Sequence, residues 1–245
     1  MNSNFQIVYT ASEDDENDFH RLFKSEALAM RNIGIAVSTK TSADATHLMY
    51  RGTTIKDEKS YPTDSRFLNT YSENANYLYM SKYYPHIADL CIDTFFVDEL
   101  DESVPKLIKQ KGWSKAFIKK DLIALEHVQE GKSVWPNTSI GEMNMLYDEL
   151  NIDGKYAIRK FIEPEIMEKE LRYWVFNGRI YRRDNIIPDI VKKASVRLNK
   201  LGSKYYTIDA TPEMIIEVNP GESSDRHGEN SAELFASWIK KEFGK

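Results

Sequence analysis

Ile215-Ile216-Glu217-Val218-Asn219-Pro220-Gly221 is the stretch on which the reading of this chain turns. It is a short apolar run that delivers a carboxylate, then two residues later an amide, and stops at Pro-Gly. Residues i and i+2 of a strand share a face, so Glu217 and Asn219 can both offer oxygen to one hard cation while Val218 packs into a core. That donor set suits magnesium with phosphate nearby. A lone Glu-x-Asn is more often an ordinary edge strand entering a turn. Asp209, one hairpin upstream in Tyr205-Tyr206-Thr207-Ile208-Asp209, shifts the balance toward a metal site.

Moving outward, Ser231 to Phe243 has the spacing of an amphipathic helix with Leu234, Phe235, Trp238 and Ile239 inward. Upstream, Ile187 to Leu201 reads as a basic helix closed by Gly202. Before it, Leu171 to Phe176, Asn177-Gly178 and Arg179 to Arg183 form a hairpin, since Asn-Gly is the favoured two-residue turn. Glu170 and Arg172 fall on one face of its first strand. Tyr156 to Ile162 reads as a strand that stops at Glu163-Pro164, and Ser139-x-x-Glu142 is a capping box opening a helix through Leu150. Trp113 to Asp121 is a strand ending in Lys119-Lys120, a place where an ammonium can meet phosphate.

The first half reads differently. Phe5 to Tyr9, a helix from Phe19 to Ile33 and Ile35 to Ser38 make a strand-helix-strand unit, and Thr46 to Arg51 adds a third strand. Arg51 then sits at a strand end, where open α/β sheets bind ligands, with an exposed structural arginine the plainer expectation. Tyrosines 77, 79, 83 and 84 offer stacking surfaces, with packing between lobes the plainer expectation. Ser72 to Lys82 reads as one helix, Tyr83-Tyr84-Pro85 as a turn and Thr94 to Val97 as a short strand. A charged helix ends at Gly112, which sets an expected boundary between lobes 1–112 and 113–245.

Composition narrows the class. With 41% hydrophobic and 29% charged residues the chain is an ordinary globular protein, and its net charge of -5 argues against a mainly electrostatic nucleic-acid binder. No apolar run is long enough to span a bilayer and the first residues lack signal-peptide features, so the expected location is cytoplasmic. A single cysteine, Cys91, excludes an internal disulfide framework, and five scattered histidines give no zinc spacing.

Taken in order, a lysine-ended strand, a helix, a strand with an acidic end, a hairpin opening with Glu-x-Arg, a helix, then Asp and Glu-x-Asn on adjacent strands resembles the ATP-grasp superfamily. Phe117-Ile118-Lys119, Arg159-Lys160-Phe161-Ile162 and Glu170-x-Arg172 look like its small bacterial and phage branch with an arginine-and-lysine signature. The resemblance covers residues 113 to 243 and implies an α/β (α+β) protein, an ATP-grasp fold with a preceding α/β lobe. It implies ATP between two antiparallel sheets, adenine against the backbone at Phe161 and Ile162, and ribose on Glu163. Lys119 then meets phosphate, Arg159 and Glu170 join the nucleotide site, and Asp209, Glu217 and Asn219 hold magnesium. The chemistry implied is phosphorylation of a carboxylate and displacement of the phosphate by an amine.

Two departures from the family pattern stand out. The stretch from Asp121 to Ser139 has one glycine, Gly131, where many relatives have a glycine-rich flap, and Thr207 replaces an arginine two residues before the metal aspartate. Arg172 is the first candidate to supply that charge. The expectation is therefore an ATP- and magnesium-dependent carboxylate-amine ligase on an amino acid, peptide or protein terminus, with Lys119 and Arg172 catalytic and Arg51 and Ser223 as substrate candidates. The alternatives are an ATP-binding regulator that has lost ligation, or a nucleic-acid-acting ATP-grasp protein using Lys192, Lys193, Arg197, Lys200 and Lys204. The acceptors and the oligomeric state are not written in the sequence.

Overall fold

The structure, a computed structural model, describes residues 4–122, 131–151, 154–226 and 230–244. Strands β1 (Phe5–Tyr9), β2 (Ala36–Ser38) and β3 (His47–Arg51) form a parallel sheet in the order β2-β1-β3, with helix α1 (Lys24–Asn32) as the crossover. Helices α2 (Tyr71–Leu78) and α3 (Met80–Ile87) lead to β4 (Thr94–Val97) and α4 (Val104–Gln110). Then follow β5 (Ala116–Lys120), β6 (Val134–Trp135), α5 (Ile140–Glu149), β7 (Tyr156–Lys160) and α6 (Pro164–Met167). The last part holds β8 (Leu171–Phe176), β9 (Arg179–Tyr181), α7 (Asp189–Leu198), β10 (Tyr205–Ala210), β11 (Ile215–Pro220) and α8 (Ala232–Phe243).

Two four-stranded antiparallel sheets result, in the orders β4-β7-β5-β6 and β11-β10-β8-β9. The period-two side-chain pattern of β8 and β10 decides how the second sheet is buried. Tyr173, Val175, Tyr206 and Ile208 turn to a core shared with α3 and α7, whereas Trp174, Phe176 and Tyr205 turn to a core shared with β1, α1 and α8. Asn177 and Gly178 both have positive φ (48° and 77°), as the two-residue β8–β9 turn requires. The first sheet packs on α4 and α5 through Ile108, Trp113, Ile118, Met143 and Tyr147.

Several elements differ from the sequence reading. Helix α1 starts at Lys24 rather than Phe19, leaving Leu22 62% exposed, outside the apolar face assigned to it. Residues 72–82 form two helices broken at Tyr79, because Asp121 caps the second from outside: its carboxylate accepts from Ser81 N at 2.6 Å, and its carbonyl from Met80 N at 3.3 Å. Pro85 lies inside α3 instead of ending a turn. Tyr77, Tyr83 and Tyr84 are buried in the core under the second antiparallel sheet. The expected lobe boundary near 112 falls within a single sheet, since β4 precedes it and pairs with β7. Of the stretch from Asp121 to Ser139, where the flap was expected, residues 123–130 lie outside the described residues, and the rest includes Gly131 and β6.

Candidate active site

The cleft lies between the two antiparallel sheets and is built by alternation on four strands. On β5, Ile118 and Lys120 turn into the sheet's own core side, where Lys120 Nζ sits 3.7 Å from the Tyr156 ring centre and donates to Gly154 O at 2.9 Å. Phe117 and Lys119 consequently face the cleft. On β11 Val218 turns to the core and Glu217 and Asn219 to the cleft, while a register shift at Asp209–Ala210 leaves Ile216 on the pocket wall. Asp209 stands directly opposite Glu217 in the β10–β11 ladder, and Arg172 directly opposite Asp209 in the β8–β10 ladder.

These residues meet. Lys119 Nζ donates to Glu217 Oε1, bridging the two sheets. Arg172 grips Asp209 with two hydrogen bonds of 2.7 Å, through Nε and Nη2, a fork geometry that only arginine offers. Asn219 Nδ2 stands between both carboxylates, 3.1 Å from Asp209 Oδ2 and 3.4 Å from Glu217 Oε2. The strand expectation for Glu217, Asn219 and Asp209 on one face is thus met in geometry, and Lys119 and Arg172 join them. Arg172 pairs with Asp209 and Asp225 rather than with Glu170.

Electrostatics follow from burial and these partners. Burial works to raise the Glu217 carboxyl, but the Lys119 ammonium overrides it and holds the group at about 2. Glu170, half-buried beside this cluster, moves the other way: burial, then the Asp209 and Glu217 charges, push it up to about 7. For Arg172 burial favours the neutral form, and the Asp209 hydrogen bonds more than reverse it, so its pKa is raised.

Beside the charged cluster lies an apolar pocket of about 320 Å³ lined by Ile92, Phe117, Val134, Phe161, Ile162 and Ile216, with Arg159 at its charged end. Arg159 is 6% exposed; its Nη2 donates to Ile216 O, while its buried Nε has no hydrogen-bond partner among the described residues. A buried guanidinium N–H left open is costly, and its position beside Lys119 suits an anion. Phe161 and Ile162 line this pocket. Glu163 is exposed at the start of α6, 3.9 Å from Lys115, in an adjoining depression that shares Lys160 and Phe161 with the pocket.

Arg51 departs from the expectation of a substrate contact. It is fully buried, ion-paired to Glu26 at 2.7 Å, with its guanidinium carbon 5.1 Å from the ring centres of Phe23, Trp174 and Phe235. No substrate reaches such a side chain without unfolding its surroundings. Ser223 is half-exposed in the loop after β11, and Thr207 lies buried beneath that loop with Oγ1 3.1 Å from Ser224 Oγ. Sequence reasoning missed Glu26, and took Glu222 only as a neighbour of Ser223 in the loop after β11. Glu26 lies three residues after Phe23 and four before Met30, so an acidic side chain on the apolar face of α1 was the available signal.

Glu222 is 3% exposed and its Oε1 accepts from Tyr61 OH, from Tyr205 OH at 3.2 Å and from Asn69 Nδ2 at 3.4 Å. Burial pushes its carboxyl up to about 7 from an ordinary 4.5. Between those values the unfolded chain has lost this proton and the folded chain keeps it, so Glu222 makes stability fall as pH rises from 4.5 through 7. The contribution is up to about 3 kcal/mol. Chemical denaturation at pH 5 and pH 7.5 should show a smaller loss in Glu222→Gln than in the wild type; equal losses would assign the pH dependence elsewhere.

Two facing four-stranded antiparallel sheets with a charged cluster and an apolar pocket between them define the ATP-grasp fold. The chain superimposes along nearly its whole length on solved structures with that architecture. D-cycloserine synthetase DcsG matches with a TM-score of 0.64 and 12% identity over 97% of this chain and 99% of that one. The macrocyclase MdnC from Microcystis aeruginosa MRC, bound with precursor peptide MdnA, gives 0.60 and 12% over 97% and 99%. The ATP-grasp ligase PsnB, complexed with a minimal precursor, Mg and ADP, gives 0.58 and 11% over 99% of each chain. No family model matches the chain, and no curated protein matches it in sequence.

The oxygen donors also allow a chemical test of a metal. Among the described residues no three His, Cys, Asp or Glu side chains converge on a cation position. Asp209 and Glu217 supply carboxylates on one face, with Asn219 adding an amide; an oxygen-only set of this kind fits magnesium better than zinc.

Proposed function

We propose that this chain is an ATP- and magnesium-dependent carboxylate-amine ligase. The observation that carries the reading is the juxtaposition of the apolar pocket, the open Arg159 Nε and the Lys119–Glu217 and Arg172–Asp209 pairs in one cleft. The base lies in the pocket against Phe161 and Ile162. Lys119 and Arg159 neutralise the phosphates, and Asp209, Glu217 and Asn219 hold magnesium. Magnesium held there would supply charge neutralisation for phosphoryl transfer from ATP to a carboxylate.

The chain's own residues do the positioning. Arg172, fixed by its fork on Asp209, turns Nη1 outward to the Asp225 carboxylate at 2.5 Å, on the side we assign to the substrate carboxylate. Glu170, rather than the exposed Glu163, is the acidic side chain adjoining the charged cluster. An amine then displaces phosphate from the acyl phosphate, giving an amide. The chain needs no covalent nucleophile for this.

The Arg159-Lys160-Phe161-Ile162 and Glu170-x-Arg172 elements support placement in the small bacterial and phage branch. Peptide substrates are supported by the precursor peptides bound to MdnC and PsnB. Among the described residues no helix is long and apolar enough to cross a membrane, and a cytoplasmic location suits a protein that consumes ATP. We retain a division into an α/β lobe of residues 1–112 and an ATP-grasp domain of 113–245, with β4 lent to the second.

The deciding experiment measures ADP release with magnesium and ATP across pools of carboxylates and amines, including short acidic peptides. Stimulation that requires both a carboxylate and an amine supports ligation. ATP-analogue binding without stimulation by any acceptor favours a nucleotide-binding regulator instead.

A further inference from the structure

Arg51 is buried at a cost that stability alone does not explain. A buried ion pair can often be replaced by apolar residues of similar volume with no loss, or with a gain, in stability. Here the guanidinium is enclosed by Phe23, Trp174 and Phe235, a setting in which methionine or leucine would pack well. What apolar side chains cannot supply is the set of donors. Nε and Nη2 are used on Glu26, at 2.8 and 2.7 Å. Nη1 donates to the carbonyls of Gly221, Glu222 (3.4 Å) and Ser224 (2.9 Å).

Those carbonyls belong to the loop that leaves β11 immediately after the proposed metal ligands. The loop is seated closely: a Cβ on Gly221 would lie 2.9 Å from the Tyr205 carbonyl carbon, and Gly52 N donates to Glu222 O at 2.9 Å. The next residue, Asp225, places Oδ1 2.5 Å from Arg172 Nη1, and its carbonyl also accepts from Nη1 at 3.3 Å. Arg172 in turn grips Asp209. A continuous run of hydrogen bonds and chain thus links Glu26 on α1, through Arg51 and residues 221–225, to the carboxylate cluster of the cleft.

We propose that Arg51, oriented by Glu26, is a positioning residue for the acceptor side of the cleft: it fixes the loop 221–224 and thereby sets Asp225 over the outer N–H of Arg172. The proposal rests on the ligase reading for the word acceptor, while the hold on the loop is independent of it. Asp225 is 65% exposed and Arg172 13%, so Asp225 forms the solvent-side wall where a carboxylate-bearing acceptor meets Arg172. A cation at the end of a parallel strand in the first lobe therefore acts by shaping the second, without touching substrate.

The test uses the full-length protein without ligand and two variants. Glu26→Leu/Arg51→Met removes both buried charges together and also takes the Glu26 acceptor from Tyr9 OH (2.9 Å), so native content is checked by circular dichroism first; Arg51→Lys keeps Glu26 and its charge partner but lacks the fork for three carbonyls. Peptide-resolved hydrogen exchange should show at least tenfold faster exchange across 221–225 in the double variant, with the β10–β11 ladder within threefold of wild type. An arginine-selective dicarbonyl should label Arg172 at least threefold faster in both variants, with Arg66 as the internal reference. Unchanged exchange at 221–225, a uniform rise across the sheets, or unchanged labelling of Arg172 would each overturn the proposal. Failure of the wild type to bind magnesium with a nonhydrolysable ATP analogue would remove the ligase reading and leave the result on the loop standing.

Discussion

Asp209→Asn is expected to lower ATP turnover by about 10³-fold, the loss that about 4 kcal/mol of missing charge stabilisation produces. The substitution keeps shape and removes the charge that two cations share, the proposed magnesium and Arg172. A fold effect accompanies it. Asp209 is 4% exposed, and stripping the partner from a largely buried arginine costs about 3 kcal/mol or more. Turnover must therefore be measured well below the variant's melting temperature, with native content checked by circular dichroism. A folded Asp209→Asn protein retaining a tenth of wild-type turnover would exclude Asp209 as a metal ligand.

Lys119→Met is expected to weaken binding of the magnesium–ATP complex by about 10- to 100-fold, in line with the loss of one charge-assisted hydrogen bond to phosphate. Calorimetry with a nonhydrolysable analogue reads this directly. The same change frees Glu217 from the ammonium that holds it near 2, and burial then drives the carboxyl upward. In the wild type this group adds stability above 4.5 that is lost as pH falls toward 2; in the variant that contribution should largely disappear. A carbon-detected NMR titration of Glu217 that does not move would show that Lys119 is not its controlling partner, and unchanged nucleotide affinity would refute the phosphate role.

Sequence patterns revealed what depends on local period. The Glu217/Asn219 face, the Asn177-Gly178 hairpin and the Lys119 position follow from alternation and turn chemistry, so strands β8 to β11 and the cleft edge were legible. What escaped depends on partners distant in the chain. Arg51 has the local signature of a ligand-binding cation, and its fate is decided by Glu26, 25 residues away, and by carbonyls about 170 residues away. The break between α2 and α3 has its cause in Asp121, 40 residues later. The acidic residue nearest the hinge, Glu163, looked suitable by position, but the chain turns into α6 there and carries it outward, while Glu170 is brought back beside the cluster at the start of β8. Local period cannot report such returns of the chain.

The pairing of Lys119 with Glu217 and of Arg172 with Asp209 has a consequence for how two ligands depend on each other. A free nucleotide entering the cleft would draw Lys119 from Glu217 and leave a carboxylate uncompensated beside new negative charge. Magnesium alone would draw Glu217 away and strand the buried ammonium. Only the two together exchange every partner without leaving a charge behind. Metal and nucleotide should therefore bind with strong positive coupling, each nearly excluded without the other. Nucleotide affinity measured with and without magnesium gives that coupling as a ratio. A ratio near one would show that the two salt bridges do not couple the ligands.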